Sequence, residues 1–417
     1  MLKDWPDDWS VVREFRTLPL TLKNRGYDTA MIGKWHLGQP WQASIGFQHW
    51  VTFTDGHTLD FWNNMVIDNG EKYPVRDQHI VDFFTDKAVN YISSRKGKGA
   101  FYLQLNYDGP YLNPPTNTGP ARNRHYESYV GSAFISFPRL PVNANILKQL
   151  EDPQTPEFLR GKHRESILHH NDPESMANVA SQNTVVDDGV GRVLAALVEA
   201  GLEEDTLVIY SSDQGNFYGQ HGLWQHAVVT FPSSLYEAAM NIPLIVRHPG
   251  EIRAGATEER LIGQYDLPQT ILDYVGIKDV TFANSPARSF APMLWGEGQR
   301  WDDVVFYEQE EARGIRTRRY AYWRHLVDLA EPKLFDMAND PGQQENLAQL
   351  PEHQQLAADL DRQLMAFFAE YSDENYDLWR GGSAKGSVIR PGLFKRIHGD
   401  QWETVSESLP PFVEDGD

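Results

Sequence analysis

The stretch from Ser175 to Ser212 narrows the fold of this chain more than any other. Val179, Val186, Val190, Val193, Leu194 and Leu197 recur at the spacing of one helical face, and Gly201 stands where a left-handed glycine closes a helix. A short apolar, β-favouring run, Leu207-Val208-Ile209-Tyr210, follows at once, within a strand read as Thr206–Ser212. A long amphipathic helix feeding a buried strand is the crossover unit of an α/β sheet. In such sheets ligands collect beyond the carboxyl ends of the strands. That end delivers Asp213-Gln214-Gly215, then a loop holding Gly219, His221, Gly222 and His226. A carboxylate beside an amide oxygen suits a hard cation such as Ca2+ or Mg2+. An ordinary polar turn would have the same composition.

The layout recurs. Leu18–Arg25 has helical spacing, with Gly26 as its stop. A strand over Thr29–Ile32 follows, and Lys34 and His36 fall just past its end. Gln78–Ser93 reads as a helix and Ala100–Leu105 as a strand that ends in Asn106-Tyr107-Asp108-Gly109-Pro110-Tyr111. Three strands thus aim polar loops the same way. Between them, Gly46–Tyr73 is rich in aromatic and turn residues and reads as a packed loop region. Leu112 to about Pro156 reads as a long loop carrying Arg122, Arg124, His125, Tyr126 and Tyr129. Pro243–Arg247 and Gln264–Val275 continue the strand and helix alternation.

From about Trp301 the texture changes. Val304–Glu308, Gly314–Arg318 and Tyr320–Leu326 read as short antiparallel strands, and a helix from about Glu352 to Tyr371 carries Leu356, Leu360, Leu364, Phe367 and Phe368 on one side. The division expected is an α/β body over residues 1–300, a small α+β subdomain over 301–372 and a tail over 373–417 that wraps the body or moves freely.

Charge excludes some partners. Lys and Arg number 38 against 58 Asp and Glu, a net charge of −20, which argues against nucleic acid as a general partner. An anionic substrate would need positive charge concentrated in the pocket itself. No run is long and apolar enough for a membrane helix, and the N-terminus lacks the basic and apolar regions of a signal peptide. With no cysteine, disulfides are excluded and the compartment stays unread. Composition neither requires nor forbids a homo-oligomer.

Several segments, in order, resemble the type I sulfatases of the alkaline phosphatase superfamily. Gly26–Gly38, GYDTAMIGKWHLG, is similar to the family's second signature. Val186–Gly215 resembles its helix–strand–metal segment, and Leu235–Gly250 and Tyr265–Gly276 its later blocks. Gly314–Thr317 and Lys333–Leu347 resemble its C-terminal subdomain. The resemblance implies an alkaline-phosphatase-like α/β/α sandwich around a mostly parallel sheet, and hydrolysis of a sulfate ester on a carbohydrate or aryl substrate. It implies Asp213 and Gln214 as ligands of one divalent metal, most often Ca2+. Lys34 and His36 would hold the sulfate and assist the nucleophile. His226 stands where many members carry a lysine, which would give the site a group titrating near neutrality and able to act as general acid. His221, Tyr111 and Arg122 complete the expected substrate contacts.

The chain also departs from the family's pattern. Tyr111 replaces a histidine common in the family. The N-terminal aspartate pair is missing, and so is the Cys/Ser-x-Pro-x-Arg motif whose Cys or Ser becomes formylglycine. Ser285-Pro286-Ala287-Arg288 lies far downstream in an unrelated block. Two readings remain open: a sulfatase lacking its N-terminal segment in this chain, or an inactive relative that keeps the pocket and binds a sulfated ligand. A phosphoesterase of the same superfamily is a third, short of the second metal's ligands. Loss of the first strand would leave a sheet edge uncovered. Simpler roles fit the same residues: Lys34 as a solvated lysine, His36 as a structural histidine, Trp224 as a core plug rather than a sugar platform.

Overall fold

The computed structural model describes residues 10–58, 60–110, 123–153, 155, 157–227, 230–381, 383–385 and 390–405. Its central sheet holds β1 (Asp28–Gly33), β2 (His49–Phe53), β3 (Asn64–Asp68), β4 (Glu71–Val75) and β5 (Phe101–Asn106), in the order β4-β3-β2-β1-β5. β1 runs parallel to both neighbours, while β2–β3 and β3–β4 are antiparallel. Strand alternation sorts β1 into two cores. Ala30 and Ile32 pack with Phe53, Phe84 and Ala88 beneath the Ile80–Ser93 helix, whereas Met31 faces Trp35, Phe47 and Trp50. Burial on both faces is what a central strand needs, and it explains why β1 is apolar without a break.

The expected loop over 46–73 is instead two strands, with a third beginning at Glu71. Trp50, Val51 and Phe53 supply the buried positions of β2. Asn69-Gly70 joins β3 to β4 with both residues at positive φ, +50° and +91°, which is the geometry of a tight two-residue hairpin. The region expected as a long loop also contains a helix, Ala144–Glu151, and a further one spans Glu157–His169.

The Pro173–Ala200 helix is capped by the Asp172 carboxylate, which accepts from Ser175 N, and closed by Gly201 at φ 69°. It leads into β6 (Val208–Ser211), which does not extend the five-stranded sheet. After the short β7 (Phe217–Tyr218) and β8 (Trp224–Gln225), β9 (Leu244–Arg247) pairs with β6 antiparallel. Among the described residues, β5 bonds only to β1 and β6 only to β9, so each presents an open edge. Yet Phe101 and Leu103 of β5 and Val208 of β6 pack against the same stretch of helix, Ala196, Leu197 and Ala200. The two sheets are thus neighbours on one helical layer.

The C-terminal sheet is antiparallel, in the order β10 (Val304–Gln309), β11 (Ala312–Thr317), β12 (Tyr320–His325) and β13 (Lys333–Asp336). Ile315, Tyr322 and Leu334 face Leu360 and Leu364 of the Gln354–Tyr371 helix. Ala321, Trp323 and Phe335 turn the other way, onto Leu235 and Tyr236. The segment after Ser372 returns across the molecule: Tyr376 Oη bonds the Glu14 carboxylate, and Arg390 is buried.

Candidate active site

The strand tips meet. Gly33, at φ 114°, ends β1 so close to β5 that a Cβ there would lie 2.0 Å from Asn106 O. Lys34 N donates to Asn106 O at 2.8 Å, and the Asn106 amide returns a bond to Lys34 O. This closure fixes the backbone that presents Lys34. Its Nζ lies 3.7 Å from Asp108 Oδ1, past the end of β5, and 3.7 Å from Asp213 Oδ2, past the end of β6. Asp108 is buried and accepts from Thr58 N at 2.9 Å; Asp213 is half exposed. Burial pushes the Asp108 carboxyl above the usual carboxylate range, against the pull of Lys34, the Thr58 amide and His57.

His36 meets His57 edge to face, with ring centroids 4.3 Å apart. On the other side, the Gln214 amide nitrogen donates to His226 Nδ1 at 2.9 Å. That bond requires Nδ1 to be unprotonated. His226 is buried, and burial, aided by Lys34, lowers its pKa to about 4. The expectation of a group titrating near neutrality is therefore corrected: at neutral pH this imidazole is uncharged. Lys34 carries the positive charge between the two aspartates.

Other expected residues lie apart. His221, at φ 54°, is stacked on Tyr236 with ring centroids 3.6 Å apart, and Tyr236 in turn packs on Trp323 and Phe335 of the C-terminal sheet. Burial lowers the His221 pKa to about 4. Trp224 is buried with Met176 and Val179 and is a core plug. Arg124 and His125 are engaged on the helical face, Arg124 with Asp82 and Asp188 and His125 with Asp188. Tyr111 and Arg122 fall outside the described residues. Sequence reasoning passed over Asp108 and His57. The rule that singled out Lys34 and Asp213, a polar residue just past a strand end, applies equally to Asp108.

The donor set does not make a complete cage for a divalent cation. Asp213 and Gln214 offer at most three side-chain oxygens, whereas Ca2+ takes six to eight. Among the described residues no three acidic or histidine side chains converge as ligands, and an ammonium lies between the two carboxylates.

The Sulfatase family model matches residues 3–277, and the model for the C-terminal part of N-sulphoglucosamine sulphohydrolase matches residues 219–370. The chain belongs to the sulfatase family. Among its relatives is an N-acetylglucosamine-6-O-sulfatase of Bacteroides thetaiotaomicron, 25% identical over 87% of this chain and 74% of the relative. A Delta 4,5-hexuronate-2-O-sulfatase of the same organism is 26% identical over 86% of this chain and 73% of its own length. A solved structure in complex with its substrate, D-glucosamine-2-N,6-O-disulfate, superposes with a TM-score of 0.69 at 23% identity, covering 88% of this chain and 85% of that one. That likeness establishes the fold, an alkaline-phosphatase-like α/β architecture with a separate antiparallel C-terminal sheet. Sulfatases are sulfuric ester hydrolases that generally use a divalent metal and a formylglycine. This sulfatase sequence contains no cysteine. Among its described residues no helix is long and apolar enough to cross a membrane.

Proposed function

We propose that this sulfatase-family chain recognises a sulfate ester of a carbohydrate through Lys34, His36 and His226, and that hydrolysis is the reaction its site is arranged for. The supporting observation is the position of Lys34, whose ammonium joins the tips of β1, β5 and β6 through Asp108 and Asp213. A sulfate oxygen entering there would meet a fixed cation in a partly dry crevice, the setting in which a charge-assisted contact contributes most. His36 would add a hydrogen bond, and neutral His226 a hydrogen bond rather than charge. The relatives that act on N-acetylglucosamine 6-sulfate and on hexuronate 2-sulfate support a sulfated sugar over an aryl sulfate. Asp213 and Gln214 would give a cation such as Ca2+ their carboxylate and amide oxygens, with the substrate's oxygens adding to the set.

A second reading has its own support. Binding of a sulfated sugar without turnover is the alternative; the 417 residues hold no Cys/Ser-x-Pro-x-Arg run. The experiment measures both on the purified chain with Ca2+: binding of N-acetylglucosamine 6-sulfate by calorimetry, and sulfate release from it. Binding and release, both lost in folded Lys34→Met, support the hydrolase. Binding without release selects the binder. A folded protein that does neither refutes the assignment.

A further inference from the structure

The segment that leaves His226 is clamped from a distance. Thr230 N and Oγ1 both donate to the carbonyl oxygen of Ala227, the residue next to His226. Thr230 O then accepts from Arg390 Nη1 at 3.0 Å. Ser233 is held from three sides. Its N–H donates to Glu311 Oε1 at 2.7 Å, its hydroxyl accepts from Arg390 Nη2, and its carbonyl accepts from His325 Nε2 at 2.9 Å. Arg390 Nη2 closes the ring with Glu311 Oε2 at 2.9 Å and Glu310 Oε2 at 3.2 Å. Arg390 and Glu311 are buried, at 4% and 0% exposure.

A feature of the backbone marks the same spot. Glu310 and Glu311 form the two-residue turn between β10 and β11, where Gln309 pairs with Ala312. Glu310 sits at φ 46°, a left-handed position that such turns normally give to glycine or asparagine. A strained residue persists where its surroundings over-determine it. Here two glutamates are presented, buried, to an arginine from a remote part of the chain. Hydrophobic filling would serve stability as well or better than a buried ion cluster. What the cluster adds is a forked, directional hold on the backbone of 230–233, which a planar guanidinium provides and an alkyl group cannot.

We propose that Arg390 is a positioning residue for His226: its guanidinium, oriented by the Glu310-Glu311 turn, fixes Thr230, whose bonds to Ala227 O hold the residue beside the imidazole that rests against Gln214. The proposal rests on the reading of His226 as part of the site. The C-terminal segment is thereby a working component of the site.

The test compares wild type with Arg390→Lys, which keeps a charge beside the glutamates but cannot fork to Thr230 O and Ser233 Oγ together. Ser233→Ala serves as a milder variant that leaves every charge paired. The first readout is the His226 ring resonance in histidine-labelled protein, assigned with His226→Gln. The second is affinity for inorganic sulfate by calorimetry. Both variants are expected to remain folded, to shift the His226 resonance in the same direction, and to weaken sulfate binding, Arg390→Lys by about tenfold. If Arg390→Lys fails to fold, Ser233→Ala alone decides. A His226 resonance that is unmoved in every folded variant overturns the proposal. The resonance decides it even if wild type binds no sulfate, a result that would instead remove the functional reading.

Discussion

Replacing Lys34 with methionine tests the electrostatic construction of the site. The substitution keeps the length and apolar stem of the side chain and deletes one charge lying 3.7 Å from each of two carboxylates. At that separation a pair of unit charges attracts by ~4.5 kcal/mol in an effective dielectric of 20. The two contacts are unequal. The Asp213 side chain is 52% exposed, so solvent screens its pair to about 1 kcal/mol or less. The Asp108 side chain is 1% exposed and cannot be rehydrated when the ammonium goes. Against this, the lysine no longer has to be desolvated, and Asp108 can escape by taking a proton. The net expectation is a loss of roughly 3 kcal/mol at pH 8, within the range for breaking one side of a buried pair.

The pH dependence carries the argument. Burial already holds the Asp108 pKa above its ordinary value, and removing Lys34 raises it further. The lost interaction is with the ionised form, so the deficit is full where Asp108 is charged and shrinks as acidification protonates it. Urea unfolding of wild type, Lys34→Met, Asp108→Asn and the double variant at pH 8 and pH 5 reads this directly. The expected pattern is a large deficit at pH 8, a smaller one at pH 5, and recovery of at least half of it when Asp108→Asn is added to Lys34→Met. A deficit equal at both pH values, or a double variant whose losses simply add, would refute the claim that a buried carboxylate is what Lys34 serves.

Two further predictions probe the scaffold. His79 Nδ1 accepts from Val81 N at the start of the Ile80–Ser93 helix, its ring stacks on Phe61, and burial lowers its pKa from 6.5 to about 4. The unfolded chain therefore takes the proton first. Stability is full above pH 6.5 and falls by about 3 kcal/mol as the pH drops towards 4; His79→Asn, which retains a capping oxygen, should flatten this slope in urea titrations, and an unchanged slope would count against the cap. Gly33→Ala should destabilise by roughly 3 kcal/mol or more, since its Cβ would strike Asn106 O at positive φ, whereas Gly26→Ala, with nothing within 4 Å, should lose only about 1 kcal/mol; equal losses would refute the contact.

Much of this architecture is legible in the residues, for identifiable reasons. Glycine caps at Gly26 and Gly201, periodic apolar faces and strand-end polar residues are local signals, and they located the three tips that meet at Lys34. The Asn69-Gly70 hairpin was equally local and was obscured by the aromatic density around it. Asp108 was visible as a strand-end residue but gave no reason to prefer it over its neighbours until Lys34 was seen beside it. Other properties are not local at all. The low pKa of His226 comes from burial and from an amine supplied by another strand. Trp224 is a plug because Met176 and Val179, from a different helix, lie over it. Arg390 reaches Thr230 and Ser233 from 160 and 157 residues away, and a single arginine in a polar stretch announces nothing.

Among the described residues the crevice is shared between two sheets. Lys34 and Asp108 ride on one sheet, Asp213 on the other, and no backbone ladder among the described residues stitches the two together. The anion grip therefore spans a seam. The geometry of the grip thus depends on how the two sheets are held on their shared helical layer, and not on strand pairing alone.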